Sequence, residues 1–266
     1  MSADAGRWAD LRQRVISAAV MIAVAAVEIW LGGPAFALMV LLVSGAMIWE
    51  LARITRPKAA SVSALILAAL AVAALAGAVW LPSDLAPALL LVPALGLALT
   101  PRRDRRIASA YAVAVMVAGY GLVALRDTSA AALLWLICVV VASDVLGYFA
   151  GRIIGGPKFW PAVSPKKTWS GTAAGWLGAV LVGVGFVLWA GAPWGLVALS
   201  PVAAFAGQMG DIAESWIKRR AGVKDSSNLI PGHGGFLDRF DALILAAVAV
   251  MALGLVLPLP LPGGGL

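Results

Sequence analysis

Nine apolar stretches of 17 to 22 residues follow one another along this chain, near 15–32, 35–51, 60–80, 84–100, 107–125, 129–150, 171–190, 193–214 and 241–259. A helix needs ~20 mostly apolar residues to cross a bilayer. The chain is therefore read as all-α, a polytopic integral membrane protein with about nine transmembrane helices. Its mean hydropathy of +0.96, with only 12% charged residues, agrees, because a water-soluble chain could not hide so much apolar surface. The fourth stretch is the weakest, interrupted by Pro87 and Pro93. Proline is tolerated in a membrane helix where neighbours satisfy the freed carbonyls.

The charges fix an orientation. With the N-terminus inside, the inner segments hold Arg7, Arg12 and Arg14; Arg53, Arg56 and Lys58; Arg102, Arg103, Arg105 and Arg106; Arg152, Lys158, Lys166 and Lys167; and Lys218, Arg219, Arg220, Lys224 and Arg239. Of the 20 Lys and Arg, only Arg126 falls outside. This is the positive-inside bias, and it predicts a cytoplasmic N-terminus and an outside C-terminus. The net charge of +7 thus belongs to loops, and no basic domain for nucleic acid exists. Trp30, Trp49, Trp80, Trp189 and Trp194 fall near span ends, as interfacial tryptophans do.

Two regions follow: residues 1–128 with the first five spans, and residues 129–266 with the last four. The second carries the long polar segments, at 151–170 and 215–240, both on the cytoplasmic side. The first apolar run lacks a small-residue cleavage site and reads as a retained span. The lone Cys138 lies mid-span as inert packing, which excludes an internal disulfide. Gly175, Gly178, Gly183 and Gly185 suit close helix approach. The tail PLPLPGGGL reads as disordered.

Against this apolar background, residues 211–241 gather five acids, five Lys or Arg and the only His. Ionisable groups at a membrane boundary are costly and read first as functional. Asp211, Glu214, Ser215 and Lys218 share one helical face. The bland reading, a solvated helix end with i,i+4 pairs, suits Asp211 poorly, because it closes a long apolar run. Asp144, Gly147, Tyr148, Gly151 and Arg152 also share a face, where small residues leave room for something bulky. Asp144 is either a functional acid or a buried partner for a nearby cation. Ser164, Lys166 and Lys167 in S-P-K-K-T-W-S-G offer donors to phosphate oxygens or an anchor to lipid headgroups. The loop from Lys224 and Asp225 to Gly235 is glycine-rich, allows close backbone approach, and leads into Asp238, Arg239 and Asp241. His233 there is read as a phosphate contact or proton carrier. Oxygen donors without a Cys or His cluster suit Mg²⁺ with substrate phosphates.

Ser215-x-x-Lys218-Arg219, Lys224-Asp225 and Pro231-x-His233-Gly234-Gly235-x-x-Asp238-Arg239-x-Asp241 resemble the signature of the phosphatidate cytidylyltransferase, or CDP-diacylglycerol synthase, family. The motif resemblance covers about 144–241; the first five spans match only in number and hydrophobicity. It implies a membrane enzyme that converts CTP and phosphatidate to CDP-diacylglycerol and pyrophosphate. Mg²⁺, one ion or two, and a homodimer are implied as well. Carried over, the metal-binding acids are Asp211 and Asp238, with Asp241. Asp211, Asp238, Lys218, Arg239 and His233 are the expected catalytic residues. Asp144, Ser164, Lys166, Lys167, Ser215, Arg219, Lys224 and Asp225 are expected to face substrate. The expected location is the bacterial-type inner membrane, with the site on its cytoplasmic side. A CTP-dependent polyprenol or phytol kinase and an organic-anion transporter are the competing readings. The transporter would place its charges near mid-bilayer.

Overall fold

A computed structural model describes residues 2–56, 61–81 and 83–264, with side chains from residue 12 onward except 61 and 83. The Arg7 side chain and Lys58, used above to orient the chain, lie outside the described residues. The helices are α1 (Ser2–Leu31), α2 (Gly33–Ile54), α3 (Ser61–Trp80), α4 (Ala86–Leu90), α5 (Val92–Leu99), α6 (Arg105–Thr128), α7 (Ala130–Ile153), α8 (Trp169–Ala190), α9 (Gly195–Ala221) and α10 (Leu237–Gly254). A two-stranded antiparallel hairpin, β1 (Lys158–Trp160) and β2 (Ser164–Thr168), precedes α8.

Among the described residues, seven helices are long and apolar enough to cross a membrane: α1, α2, α3, α6, α7, α8 and α9. The fourth predicted span differs. Each proline opens a separate short helix, α4 at Pro87 and α5 at Pro93. Together they cover Ala86–Leu99, about 21 Å at the helical rise, less than the hydrocarbon thickness. The ninth is α10, 18 residues long, whose first turns carry Asp238, Arg239 and Asp241. The predicted loop at 151–170 contains the hairpin, whose strands of three and five residues are too short to leave a readable alternation.

α7, α8 and α9 pack side by side, α10 lies along α9, and α2, α3, α5 and α6 form a second group that meets α10 through α6. The α7–α8 contact is closed by glycine: a Cβ on Gly171 would collide with the carbonyl oxygen of Gly147. Gly175, Gly178 and Gly183 likewise face neighbouring helices, but Gly185 faces open space, so its predicted packing role fails.

α1 stands apart. It touches α2 lightly and turns Val20, Ile22, Val24 and Val27 outward, as suits lipid. Its C-terminal end is capped from α6: Arg126 Nε donates to the Ile29 carbonyl at 2.7 Å. Two further expectations are corrected. Cys138 is exposed on the outer surface of α7 and fills no core space. The tail through residue 264 folds back, burying Leu259 and Leu261, and Ser129 Oγ donates to the Pro262 carbonyl.

Candidate functional site

Where α7, the hairpin, α8 and α9 meet, a cavity of about 490 Å³ opens. One wall is the α7 face read from sequence: Asp144, Gly147, Tyr148, Gly151 and Arg152. The opposite wall brings Lys166 and Lys167 from β2 and Asp211 from α9. Lys167 Nζ stands 2.6 Å from Asp211 Oδ2 and donates to the Gln208 carbonyl at 3.1 Å. Ser215 Oγ donates to Asp211 Oδ1 at 3.3 Å.

The floor is the start of α8. Thr168 caps it, its hydroxyl accepting from Gly171 N at 3.2 Å. Thr168, Gly171 and Thr172 line the cavity, so the positive end of the α8 dipole faces it, an arrangement suited to an anion. Gln208, which the sequence reading passed over, ties three helices together. Its Nε2 donates to Ser143 Oγ on α7 at 3.1 Å, and Trp176 Nε1 on α8 donates to its Oε1 at 3.2 Å.

Asp211 sits where α10 comes closest. A Cβ at Gly210 would collide with the carbonyl of Asp241. That approach brings Asp241 within electrostatic range of Asp211, Asp144 and Lys218. Asp241 Oδ1 accepts from Ala242 N at 2.8 Å.

Lys218 and Asp238 form a second, enclosed cluster that does not line the cavity. Lys218 Nζ lies 2.5 Å from Asp238 Oδ1 and 2.8 Å from Glu214 Oε2. Asp238 Oδ2 accepts from Ser226 N, Ser226 Oγ and Gly235 N at 2.8–2.9 Å. The single helical face predicted for Asp211, Glu214, Ser215 and Lys218 is thus divided between two sites. The 222–236 loop turns through Gly232 and Gly234, both at positive φ, and closes with Ile230 N donating to the Gly234 carbonyl at 2.8 Å. Gly235 has no room for a side chain, because a Cβ would collide with Glu50 Oε1 and Ser226 Oγ. Glu50, from α2, is fully buried and absent from the sequence-predicted site. A lone acid inside an apolar run was the available signal.

The remaining predicted residues are spread around this loop. His233 Nδ1 shares a 2.7 Å hydrogen bond with Ser17 Oγ of α1, away from the cavity. Arg219, Lys224, Asp225 and Arg239 are exposed, and Ser164 lies on β2 paired with Trp160 outside the cavity wall. Asp104, also unforeseen, accepts two hydrogen bonds from Arg220 at 2.6 and 2.9 Å. Those bonds hold its carboxyl below the ordinary carboxylate range.

Chemically, the cavity offers two ammonium groups, a guanidinium, a helix N-terminus and two carboxylates. Among the described residues, no three His, Cys, Asp or Glu side chains stand together at ligand spacing. Mg²⁺ needs only one or two carboxylates when phosphate oxygens complete its shell. Asp211, 35% exposed, fits that requirement, with Asp144 facing the same space. Asp238, 3% exposed, has both oxygens engaged by protein donors.

The sequence profile of the Cytidylyltransferase family matches residues 12–257. Over 117 residues the chain is 47% identical to a phosphatidate cytidylyltransferase of Brucella abortus, covering 43% of each chain. It is 40% identical over 130 residues to the Helicobacter pylori protein of that name, covering 48% of each. With the Staphylococcus saprophyticus protein of that name the identity is 36% over 138 residues, 50% of this chain and 53% of that one. These matches span about half the length of the relatives.

Proposed function

The chain belongs to the cytidylyltransferase family, and from that premise we propose that it transfers the cytidylyl group of CTP to phosphatidate, releasing pyrophosphate. The observation that carries this reading is the Lys167–Asp211 pair in a cavity that also holds Lys166, Arg152 and Asp144 at the start of α8. A triphosphate and a lipid phosphate need such a concentration of cations beside metal-binding oxygen.

In this mechanism a phosphatidate oxygen attacks the α-phosphorus of CTP and the β,γ-pyrophosphate leaves. The lipid phosphate is already ionised at neutral pH, so positioning and charge neutralisation dominate over base catalysis. Bound Mg²⁺ would neutralise the triphosphate. Asp211 is the acid placed to hold it, with Asp144 across the cavity. Asp241 would contribute charge from α10, and Asp238 would join only by releasing Lys218. Lys166, Lys167 and Arg152 would bind phosphate oxygens, and Ser215 would orient Asp211. Lys218 and Asp238 are assigned to holding the 222–236 loop, and His233 to tying that loop to α1. Arg219, Lys224 and Arg239 would attract the anionic substrates from solution. Ser164 and Asp225 have no assigned contact.

We place the site at the cytoplasmic face of a bacterial-type inner membrane, with the N-terminus inside and the C-terminus outside. The charge bias of the loops supports this. A homodimer is part of the same proposal.

Purified protein with phosphatidate, Mg²⁺ and CTP labelled in the cytidine or in the γ-phosphate tests the reading. Cytidine label entering the lipid supports it. The γ-label entering lipid would mean a lipid kinase, and neither label moving would overturn both.

A further inference from the structure

The carboxylate of Glu50 lies at the junction of the two helix groups, and among the described residues each of its hydrogen-bond partners donates to it. Oε1 accepts from Ser227 Oγ at 2.6 Å and from Phe236 N at 3.0 Å. Oε2 accepts from Leu237 N at 2.7 Å and stands 3.2 Å from Ser226 Oγ. Ser226 has one hydroxyl proton, shared between Glu50 and Asp238, the latter at 2.8 Å. Phe236 N and Leu237 N are among the free N–H groups at the start of α10, where the helix dipole favours a negative charge. A buried carboxylate is costly unless it is satisfied in this way. The result is one chain of contacts: Glu50 to Ser226, Ser226 to Asp238, Asp238 to Lys218, Lys218 to Glu214.

We propose that Glu50 is a positioning residue for the proposed transfer reaction. Delivered by α2, it fixes the 222–236 loop and the first turn of α10, and through them sets where Asp241 and Asp238 stand relative to Asp211. This rests on the activity proposed above, but the placement itself is independent of it. The chemistry is specific to a carboxylate. An amide at this place would turn its NH₂ toward the backbone N–H of Phe236 or of Leu237 and leave that donor unsatisfied.

The test compares wild type with Glu50→Gln, Glu50→Asp and Met47→Ala, all purified in detergent. Met47 is buried on the same helix and makes none of the loop's hydrogen bonds, so it controls for loss of packing. Three quantities are read: melting temperature, kcat and KM for CTP at a temperature where all variants are folded, and the rate of tryptic cutting at the exposed Lys224. An ångström of misplacement can cost on the order of 100-fold in rate. Glu50→Gln is expected to lose about that in kcat, with far less change in KM and faster cutting at Lys224. Glu50→Asp, which restores the acceptor, is expected to recover part of both. Met47→Ala is expected to melt lower yet keep kcat and cutting rate.

Glu50→Gln matching Met47→Ala in kcat and cutting would overturn the proposal. If Glu50→Gln does not fold, Ser227→Ala removes a single donor and is read the same way. A wild type that transfers no cytidylyl group would defeat the activity, while the cutting rates still decide the role of Glu50.

Discussion

Lys218 Nζ stands 2.5 Å from Asp238 Oδ1, and the same ammonium is 2.8 Å from Glu214 Oε2. Glu214 is 1% exposed, and Lys218 is the cation that reaches it. One cation thus serves two enclosed acids.

Removing that cation leaves both carboxylates without a counter-charge. Lys218→Met is expected to destabilise the protein by about 3–5 kcal/mol, as breaking buried ion pairs does. Glu214→Gln, which leaves a one-to-one pair, should cost much less. Thermal melts in detergent compare them, and equal losses would refute the shared-cation arrangement.

Asp211→Asn and Asp238→Asn should separate two roles. Asp211→Asn is expected to lose about 100- to 1,000-fold in transfer rate, the range for a lost transition-state contact, and Asp238→Asn about 100-fold, the scale of a misplaced site. Asp211 faces the cavity, so its variant should melt like wild type. Asp238 anchors the loop, so its variant should melt lower. Wild-type turnover in both would defeat the site assignment.

Gly171→Val places a branched side chain against the Gly147 carbonyl. The strain should cost about 1–3 kcal/mol, as overpacking does. Spreading α7 from α8 also deforms the cavity, so KM for CTP should rise. A variant with lowered melting temperature and unchanged KM would place substrate elsewhere.

The Asp104–Arg220 pair makes a pH-dependent prediction. The folded carboxyl titrates below its ordinary range because Arg220 bonds it. Its contribution is therefore present above the ordinary carboxylate pKa and lost as pH falls through the depressed value. The melting difference between wild type and Asp104→Asn should persist at neutral pH and vanish in strong acid. A constant difference across that range would remove the pair as its cause.

Long apolar runs were legible because membrane helices leave a continuous signal. Where prolines interrupted one at Pro87 and Pro93, the expected span became α4 and α5. The α7 face from Asp144 to Arg152 was legible from its helical spacing, but its meeting with Lys166 and Lys167 in one cavity was not, because spacing along the chain does not say which elements pack together. Helical spacing gives a shared face but not what that face meets. Asp211 met Lys167 and Lys218 met Asp238, so one predicted constellation became two. Glu50 was passed over because its partners arrive 176 to 187 positions later, beyond any local pattern.

Ser17 and His233 are 216 positions apart. A protein made from its N-terminus lays down α1 long before the loop that holds it exists. Through most of synthesis, α1 sits in the bilayer beside the growing bundle without that tether. Closure of the 222–236 loop onto Ser17 and Glu50 is therefore a late event in biogenesis. A chain that ends before residue 226 lacks every one of these contacts.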